Sequence, residues 1–204
     1  PRADTEVGFD SIQGTPVAAR TELSGNEYLS NGVSICFFGL EEPTDSAYPI
    51  EIKAAEVARC RPPQNTSSSG LLQAYPPVVY PAFPTQQAVN STAPFITADQ
   101  GQNEFRDNLF GVITLLEDAT DVRINIYHAG PATMTYHVDA LDASGAVVGT
   151  AEQALGVPGP YTLSVTAPQA IRQVIISGQQ IQGRTAFLQG PLLITKVEVN
   201  HRRR

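Results

Sequence analysis

Hydrophobic and polar residues alternate along most of the chain, in short runs that end at Gly, Pro, Asn or Asp. A period of two places successive side chains on opposite faces of an extended strand. No segment of helical length shows the longer hydrophobic period of an α-helix. The pattern predicts an all-β fold, an antiparallel two-sheet sandwich of the jelly-roll kind. The predicted strands are residues 6–12, 32–38, 50–57, 110–116, 122–127, 133–141, 146–151, 161–166, 172–177 and 192–199.

The composition favours one such domain over residues 1–204. Hydrophobic residues make up 42% of the chain, enough for a core, and charged residues only 16%, against about 25% in an average protein. A β-sandwich of this length commonly forms one domain. A Pro-rich segment, residues 61–94, interrupts the strand pattern, because proline cannot donate a hydrogen bond to a sheet. We expect it to be an irregular strap inserted in the sandwich.

Net charge and hydropathy limit the partners. The chain carries a net charge of −7 at pH 7, whereas a nucleic-acid-binding protein needs a clustered basic face, so no nucleic-acid partner is expected. No stretch reaches the roughly 18–20 apolar residues of a transmembrane helix. The few histidines are scattered, and no Cys-x-x-Cys pair occurs, so the spacing predicts no zinc site. Pro1 is an unusual first residue after signal cleavage, so we expect the numbering to begin inside a longer precursor.

The chain has two cysteines, Cys36 and Cys60. Cys36 falls in the apolar run 33–38, and Cys60 follows the predicted strand 50–57. A bridge between them would contribute on the order of 3 kcal/mol by constraining the unfolded chain, although buried free cysteines are also common. The low-charge, hydrogen-bonding composition is typical of exported proteins and therefore favours a disulfide.

Residues 122–151 predict a three-stranded meander. A three-residue loop, residues 129–131, would pair Ile126 with Met134 and give one apolar face, whereas a two-residue loop would set apolar residues against polar ones. The next connection, residues 142–145, predicts a type I turn that closes with a glycine at positive φ.

In that register Arg123, His137 and Asp139 share one exposed face of the sheet. An imidazole and a carboxylate beside a guanidinium could bind an anionic or hydroxylated ligand, but an ordinary exposed sheet also carries such pairs. A hydrolase that uses His137 and Asp139 would need a nucleophile placed against the imidazole. The sequence has no G-x-S-x-G motif, which would place a serine nucleophile. We therefore predict no catalytic residue.

The Pro-rich segment carries three aromatic residues, Tyr75, Tyr80 and Phe83. These rings could pin an extended loop onto the sandwich. Alternatively, a polyproline-type strap could present them to a partner.

An oxygen-rich segment precedes residue 110. Asp99, Glu104 and Asp107 lie close together there, and carboxylates of this kind can hold calcium. Their spacing does not match the EF-hand pattern, and exposed turns are commonly acidic. A structural calcium ion is therefore the one cofactor that the sequence suggests.

Parts of the chain resemble exported bacterial β-sandwich domains, including those of surface proteins sorted by PEP-CTERM signals. The similar segments are residues 7–10, 14–17 and 28–35 near the start, the Asp142-Ala143-Ser144-Gly145 hairpin within 136–150, and the closing strands 171–177 and 194–199. The resemblance implies a jelly-roll-like domain of the envelope or cell surface, of the carbohydrate-binding-module type, often stabilised by calcium. Where those domains have two acidic residues near the last strand, this chain has Thr195 and Lys196.

We therefore expect a non-catalytic subunit, periplasmic or extracellular, that makes protein–protein contacts in a larger envelope assembly. A carbohydrate-binding or adhesion module is the alternative, although the chain has no Trp to stack on a sugar ring. A hydrolase that uses His137 and Asp139 is the second alternative.

Overall fold

The computed structural model describes residues 3–18, 20–40, 46–52, 72–80, 93–99, 105–130 and 132–203. Apart from one 3-10 helix, Leu29–Asn31, the regular structure of these residues is β. The strands are β1 (Thr5–Gly8), β2 (Ser11–Ile12), β3 (Thr15–Pro16), β4 (Thr21–Glu22), β5 (Val33–Leu40), β6 (Ser46–Ala47), β7 (Leu72–Tyr75), β8 (Val78–Tyr80), β9 (Phe95–Thr97), β10 (Leu109–His128), β11 (Met134–Leu141), β12 (Val147–Leu155), β13 (Gly159–Gln182), β14 (Thr185–Leu188) and β15 (Leu193–His201). The predicted all-β class is confirmed. No helix within the described ranges is long and apolar enough to cross a membrane.

Two long strands, β10 and β13, each contribute to two layers. Residues 109–115 of β10 pair with β5, and residues 119–127 pair with β15. β13 follows β10 along both halves, but the register shifts between Thr114 and Asp121. Irregularities of this kind bend a strand. We call the layer built on the first half of β10 the first layer, and the layer built on its second half the second layer.

The strands within each layer pair in antiparallel fashion, and the two layers share β10 and β13. The first layer runs β12, β11, β13, β10, β5 and β7, and the second runs β13, β10 and β15, with β1 and β9 along β15 and then β8 and β4. β2 and β3 form a separate small hairpin. This arrangement confirms the predicted antiparallel sandwich.

One large apolar cluster lies between the layers. Ile113 and Val174 from the first layer and Ile124 and Val197 from the second are at most 1% exposed and belong to this cluster. Full burial of such a side chain contributes about 1.5–3 kcal/mol. The alternating residues therefore line the core as the sequence pattern predicted.

The predicted hairpin between residues 122–127 and 133–141 is wrong. The second half of β10 pairs with β13 and β15, and β11 pairs with β12 and β13. The chain leaves the second layer at His128 and enters the first layer at Met134, so the two strands are not neighbours within one layer. Both strands still place their apolar face in the same core, so the alternation is satisfied without the hairpin.

A turn forms after β11 at the predicted residues, and its glycine has the predicted positive φ. Gly145 has φ of 86°, and its backbone N–H donates to the Asp142 carbonyl at 3.0 Å. The Asp142 carboxylate also accepts hydrogen bonds from the backbone and hydroxyl of Ser144. This local chemistry sets the β11–β12 hairpin.

The Pro-rich segment is more regular than predicted where it is described. Residues 72–75 form β7, which pairs with β5, and residues 78–80 form β8, which pairs with β4 and β9. The prediction of an irregular strap over 61–94 therefore does not hold at 72–80. Pro76 and Pro77 lie between the two strands, where their lack of an N–H donor interrupts neither strand.

A buried histidine, His128, ends β10. It is 0% exposed, and its Nδ1 lies 3.1 Å from the Tyr136 hydroxyl. Burial lowers the pKa of His128, so folding disfavours protonation of this imidazole.

This burial should make stability depend on pH. Near and below the unfolded pKa of about 6.5, the unfolded chain binds a proton at His128 more readily than the folded chain does, so stability falls as the pH falls. When the pH falls from about 7.5 to about 5.5, the free energy of unfolding of wild type should decrease by on the order of 1 kcal/mol more than that of His128→Gln. Urea unfolding of both proteins at both pH values measures this effect. If the stability difference between wild type and His128→Gln is the same at the two pH values, the prediction is wrong.

Candidate functional site

His137 and Asp139 lie on the outer face of the first layer, two residues apart on β11. Tyr136 and Val138 point the opposite way, into the core. His137 and Asp139 are each only 5% exposed. Nε2 of His137 lies 3.0 Å from Oδ1 of Asp139. The strand therefore holds an imidazole and a carboxylate in contact beneath the surface.

Residues 46–52 cover this face and supply a second carboxylate. The buried Gln179 accepts a hydrogen bond from the Ile50 N–H at 2.9 Å and donates one to the Ile50 carbonyl at 2.9 Å. These two bonds hold the segment as a neighbouring strand would. Oε1 of Glu51 then lies 3.6 Å from Nε2 of His137, so two carboxylates face the same ring nitrogen.

The other ring nitrogen of His137 faces Tyr48. The Tyr48 hydroxyl lies 3.4 Å from Nδ1 and donates to Oε2 of Glu152 at 2.5 Å. Thr150 donates to Oδ1 of Asp139 at 2.9 Å. These contacts orient both the imidazole and the carboxylate. We call Tyr48, Glu51, His137, Asp139 and Glu152 the His137 cluster.

The imidazole and the carboxylates of the cluster shift one another's pKa values. The hydrogen bond to Asp139 raises the pKa of His137, and the charges of Asp139 and Glu51 add to this effect against burial. Burial by itself would raise the pKa of Asp139, but the hydrogen bond and charge of His137 outweigh it, so that pKa is lowered. Burial and the nearby Asp139 raise the pKa of Glu51. Both shifts follow from the contact between the His137 ring and the Asp139 carboxylate.

The predicted surface of Arg123, His137 and Asp139 does not form. Arg123 lies on the outer face of the second layer, opposite Ser164 on β13 and Glu198 on β15. Its Nη2 lies 3.1 Å from Oε2 of Glu198. The prediction of a shared surface depended on the β10–β11 hairpin, and without it the three residues lie on different layers.

A groove of about 690 Å³ lies over the second layer beside Arg123. Asn200 donates through Nδ2 to both carboxylate oxygens of Asp121, at 2.9 Å each. A neighbouring concavity of about 500 Å³ also borders Arg203 and lies next to the bend of β10. We call the larger one the polar groove. Its lining includes Asp121, Arg123, Ser164, Thr166, Asn200 and Arg203.

The aromatic residues of the Pro-rich segment face the protein where they are described. Tyr80 is 2% exposed and stacks on Phe95 at 5.3 Å between ring centres. The guanidinium carbon of Arg106 lies 3.9 Å from the centre of the Tyr75 ring. Phe83 lies outside the described residues. Tyr75 and Tyr80 therefore pin the segment onto the sandwich instead of forming an exposed platform.

Of the predicted calcium ligands, Asp99 takes part in an ion pair. Arg20 donates to both of its carboxylate oxygens, at 2.9 and 3.1 Å, and the Tyr80 hydroxyl donates to Oδ2. Asp107 is exposed, and Glu104 lies outside the described residues. A carboxylate already neutralised by a guanidinium is a poor cation ligand. The calcium ion stays a prediction.

Cys36 is buried in β5, on the outer face of the first layer. Cys60, its predicted partner, lies outside the described residues. The Cys36–Cys60 disulfide therefore stays a prediction.

Sequence reasoning missed Tyr48, Glu51, Glu152 and Gln179. Glu152 carried a usable signal, because the hairpin turn 142–145 sets the β11–β12 register and places it opposite His137. The positions of Tyr48 and Glu51 depend on the path of residues 46–52, for which no local motif exists.

Comparison with known proteins gives distant matches only. Neither a protein-family model nor a curated protein sequence matches the chain. CsCBM6-3 from Clostridium stercorarium, in complex with cellobiose, is similar with 14% identity and a TM-score of 0.31, over 56% of this chain and 79% of its own. The isomalto-dextranase of Arthrobacter globiformis T6, complexed with panose, is similar with 16% identity and a TM-score of 0.33, over 64% of this chain and 25% of its own.

A third solved structure, the arabinose-bound α-L-arabinofuranosidase MgGH51, is similar with 7% identity and a TM-score of 0.38, over 96% of this chain and 32% of its own. The chain thus spans about a quarter to a third of the two enzymes. These structural neighbours comprise a carbohydrate-binding module and glycoside-active enzymes.

Proposed function

We propose that the chain is a non-catalytic module that binds a glycan in the polar groove. The carrying observation is the groove itself, in which three adjacent strands, β13, β10 and β15, place polar side chains side by side. An extracytoplasmic location, as in the exported bacterial domains that the sequence resembles, is part of this proposal.

The chemistry of the groove suits a ligand rich in hydroxyl groups. A sugar hydroxyl both donates and accepts hydrogen bonds, and the groove offers donors, acceptors and hydroxyls that do both. Arg123 donates, Asp121 accepts, and the exposed Ser164 and Thr166 can do either. A volume of about 690 Å³ also falls within the roughly 300–1,000 Å³ of small-molecule sites.

Recognition in this groove would depend on hydrogen bonds rather than stacking. Among the described residues, the large hydrophobic side chains that are exposed are Val147, Val157 and Ile181, and none of them is aromatic. Each hydrogen bond exchanged with water contributes only about 0.5–1.5 kcal/mol. We therefore expect weak binding that depends on several polar contacts at once.

The absence of catalysis is also a proposal, and the contacts of the His137 cluster support it. Among the described residues, no Ser, Thr or Cys side chain forms a hydrogen bond to the His137 ring. Its two nitrogens face Asp139, Glu51 and Tyr48. A hydrolytic dyad with a Ser, Thr or Cys nucleophile would need that side chain in one of those places.

Arg123→Ala tests the groove. The substitution removes a donor without stranding Glu198, because Nζ of Lys196 lies 2.8 Å from that carboxylate. We expect stability within about 1 kcal/mol of wild type and glycan affinity reduced about tenfold. Affinity electrophoresis against a panel of neutral and acidic polysaccharides, followed by calorimetry on the best ligand, measures this. Arg184→Ala, a change of the same charge at an exposed position, should bind as wild type does.

Two results would contradict the proposal. If Arg123→Ala and wild type bind the glycan with equal affinity, the glycan does not bind in the polar groove. Failure to bind any polysaccharide, together with co-migration with a large complex in size-exclusion chromatography of native material, would favour the envelope-assembly subunit.

A further inference from the structure

Three side chains of the His137 cluster converge on one point. One donor atom from each of Glu51, His137 and Asp139 lies within 4.8 Å of the other two. His137 and Asp139 are buried, whereas the Glu51 side chain is 50% exposed. We infer that these three side chains form a binding site for a single divalent transition-metal ion, with zinc as the best-fitting ion.

The distances between the donor atoms fit one such ion. Zinc binds nitrogen and carboxylate oxygen at about 2.0–2.2 Å, so two ligands of a tetrahedral site lie about 3.4 Å apart. Nε2 of His137 lies 3.0 Å from Oδ1 of Asp139 and 3.6 Å from Oε1 of Glu51. Only small shifts of these side chains would place all three donors around one ion.

The surroundings already orient the proposed ligands. Nδ1 of His137 faces the Tyr48 hydroxyl, which donates to Glu152. A metal-binding histidine commonly has its second nitrogen held by such a partner, which leaves the lone pair of the first nitrogen for the ion. Thr150 donates to Asp139 and so holds that carboxylate in place. The cluster therefore has the outer contacts of a metal site as well as three donors.

The donor set selects the class of ion. Calcium takes six to eight oxygen ligands, and this site offers two carboxylates and an imidazole nitrogen. Imidazole favours zinc and its transition-metal neighbours. The exposed side of Glu51 leaves room for a water molecule as a fourth ligand, which makes the site open to solvent on that side.

Binding would join two parts of the chain. Glu51 belongs to the covering segment 46–52, and the other two donors belong to β11. An ion held by both would bind the folded chain but not the unfolded one, and it should raise the melting temperature. The site lies on the opposite layer from the polar groove, so it does not depend on the proposed glycan function.

The test uses the whole protein, stripped with a chelator and then titrated with zinc. We expect one ion per chain by calorimetry and a rise in Tm of about 5–10 °C when free zinc is 100 times Kd. Calcium at the same concentration should give no such rise. Cobalt in place of zinc should give the visible absorption of a low-coordinate site.

Glu51→Gln is the test variant, because Glu51 is half exposed and its loss should leave the fold intact. It should weaken zinc binding at least about tenfold, since even loss of an outer partner costs about 10–100-fold. Glu117→Gln is the matched control. Glu117 lies 3.7 Å from Nδ1 of His201, a second histidine–carboxylate pair without a third donor among the described residues.

The outcomes separate clearly. Absence of saturable zinc binding to wild type would overturn the inference. Zinc binding that is unchanged in Glu51→Gln would also overturn it. Loss of zinc binding in Glu117→Gln with no loss in Glu51→Gln would place the ion at His201 instead. If Glu51→Gln alters the circular dichroism of the metal-free chain, its fold has changed and it is not a valid test. The ¹⁵N resonance of His137 Nε2 in wild type then tests whether this nitrogen binds zinc. It should shift on zinc addition, and an unmoved resonance would exclude His137 as a ligand.

Discussion

Replacing Gln179 with leucine should lower the free energy of unfolding by about 2–5 kcal/mol. The Gln179 side chain is 0% exposed and bonds to the N–H and carbonyl of Ile50 and to the Ser177 hydroxyl. Leucine has similar bulk but no polar atom. The substitution therefore leaves buried polar groups without partners, which is costlier than losing the hydrogen bonds alone.

Urea unfolding of both proteins at pH 7 measures this loss. Gln182→Leu, at the exposed end of the same strand, is the matched control and should change stability by no more than about 0.5 kcal/mol. If both variants unfold like wild type, Gln179 does not hold residues 46–52 in place.

The same variant bears on the proposed metal site. Gln179 contacts none of the three proposed ligands in the described hydrogen bonds, but it positions Ile50, next to Glu51. Loss of this anchor should free the segment and weaken zinc binding. A variant that is destabilised yet binds zinc as tightly as wild type would show that Glu51 is positioned by other contacts.

The elements that sequence reasoning placed correctly are those set by local chemistry. The turn 142–145 follows from Asp142 and Gly145, and it determines the β11–β12 pairing without any distant contact. The spacing of His137 and Asp139 likewise puts them on one face of any strand. These features do not depend on what the rest of the chain does.

The predictions that failed concern which distant strands become neighbours. The alternation along residues 122–127 shows which side chains are buried. The apolar face can be buried equally well when residues 133–141 pair with this strand and when they lie in the opposite layer. The chain uses the second solution, and β10 and β13 run on through bends where the pattern suggested separate strands. Strand order in a sandwich depends on such long-range pairings.

The burial of the His137 cluster was not visible in the sequence for the same reason. A polar residue on the face away from the core is expected to meet solvent. Here residues 46–52 cover that face, and Gln179, from a strand far along the chain, anchors them. Neither the covering segment nor its anchor has a recognisable motif.

Gly149→Ala should lower the free energy of unfolding by about 2–4 kcal/mol, because of steric overlap at one edge of the sandwich. Gly149 lies in β12 of the first layer, opposite Ala140. A Cβ at this position would lie 2.4 Å from the backbone carbonyl oxygen of Thr166, in β13. A carbonyl oxygen within a strand cannot rotate away as a side chain could, so the two strands would have to separate.

The comparison with Gly8→Ala isolates this effect. Gly8 also lies in a strand, β1, but the nearest atom to its added Cβ is 4.0 Å away, an Oδ1 of Asp10. Both substitutions reduce the freedom of the unfolded chain equally, which stabilises by about 0.4–1 kcal/mol where no clash opposes it. Gly8→Ala should therefore be neutral or slightly stabilising in urea unfolding. If Gly149→Ala behaves in the same way, β12 and β13 do not approach as closely as described, and the sandwich is more open along this edge.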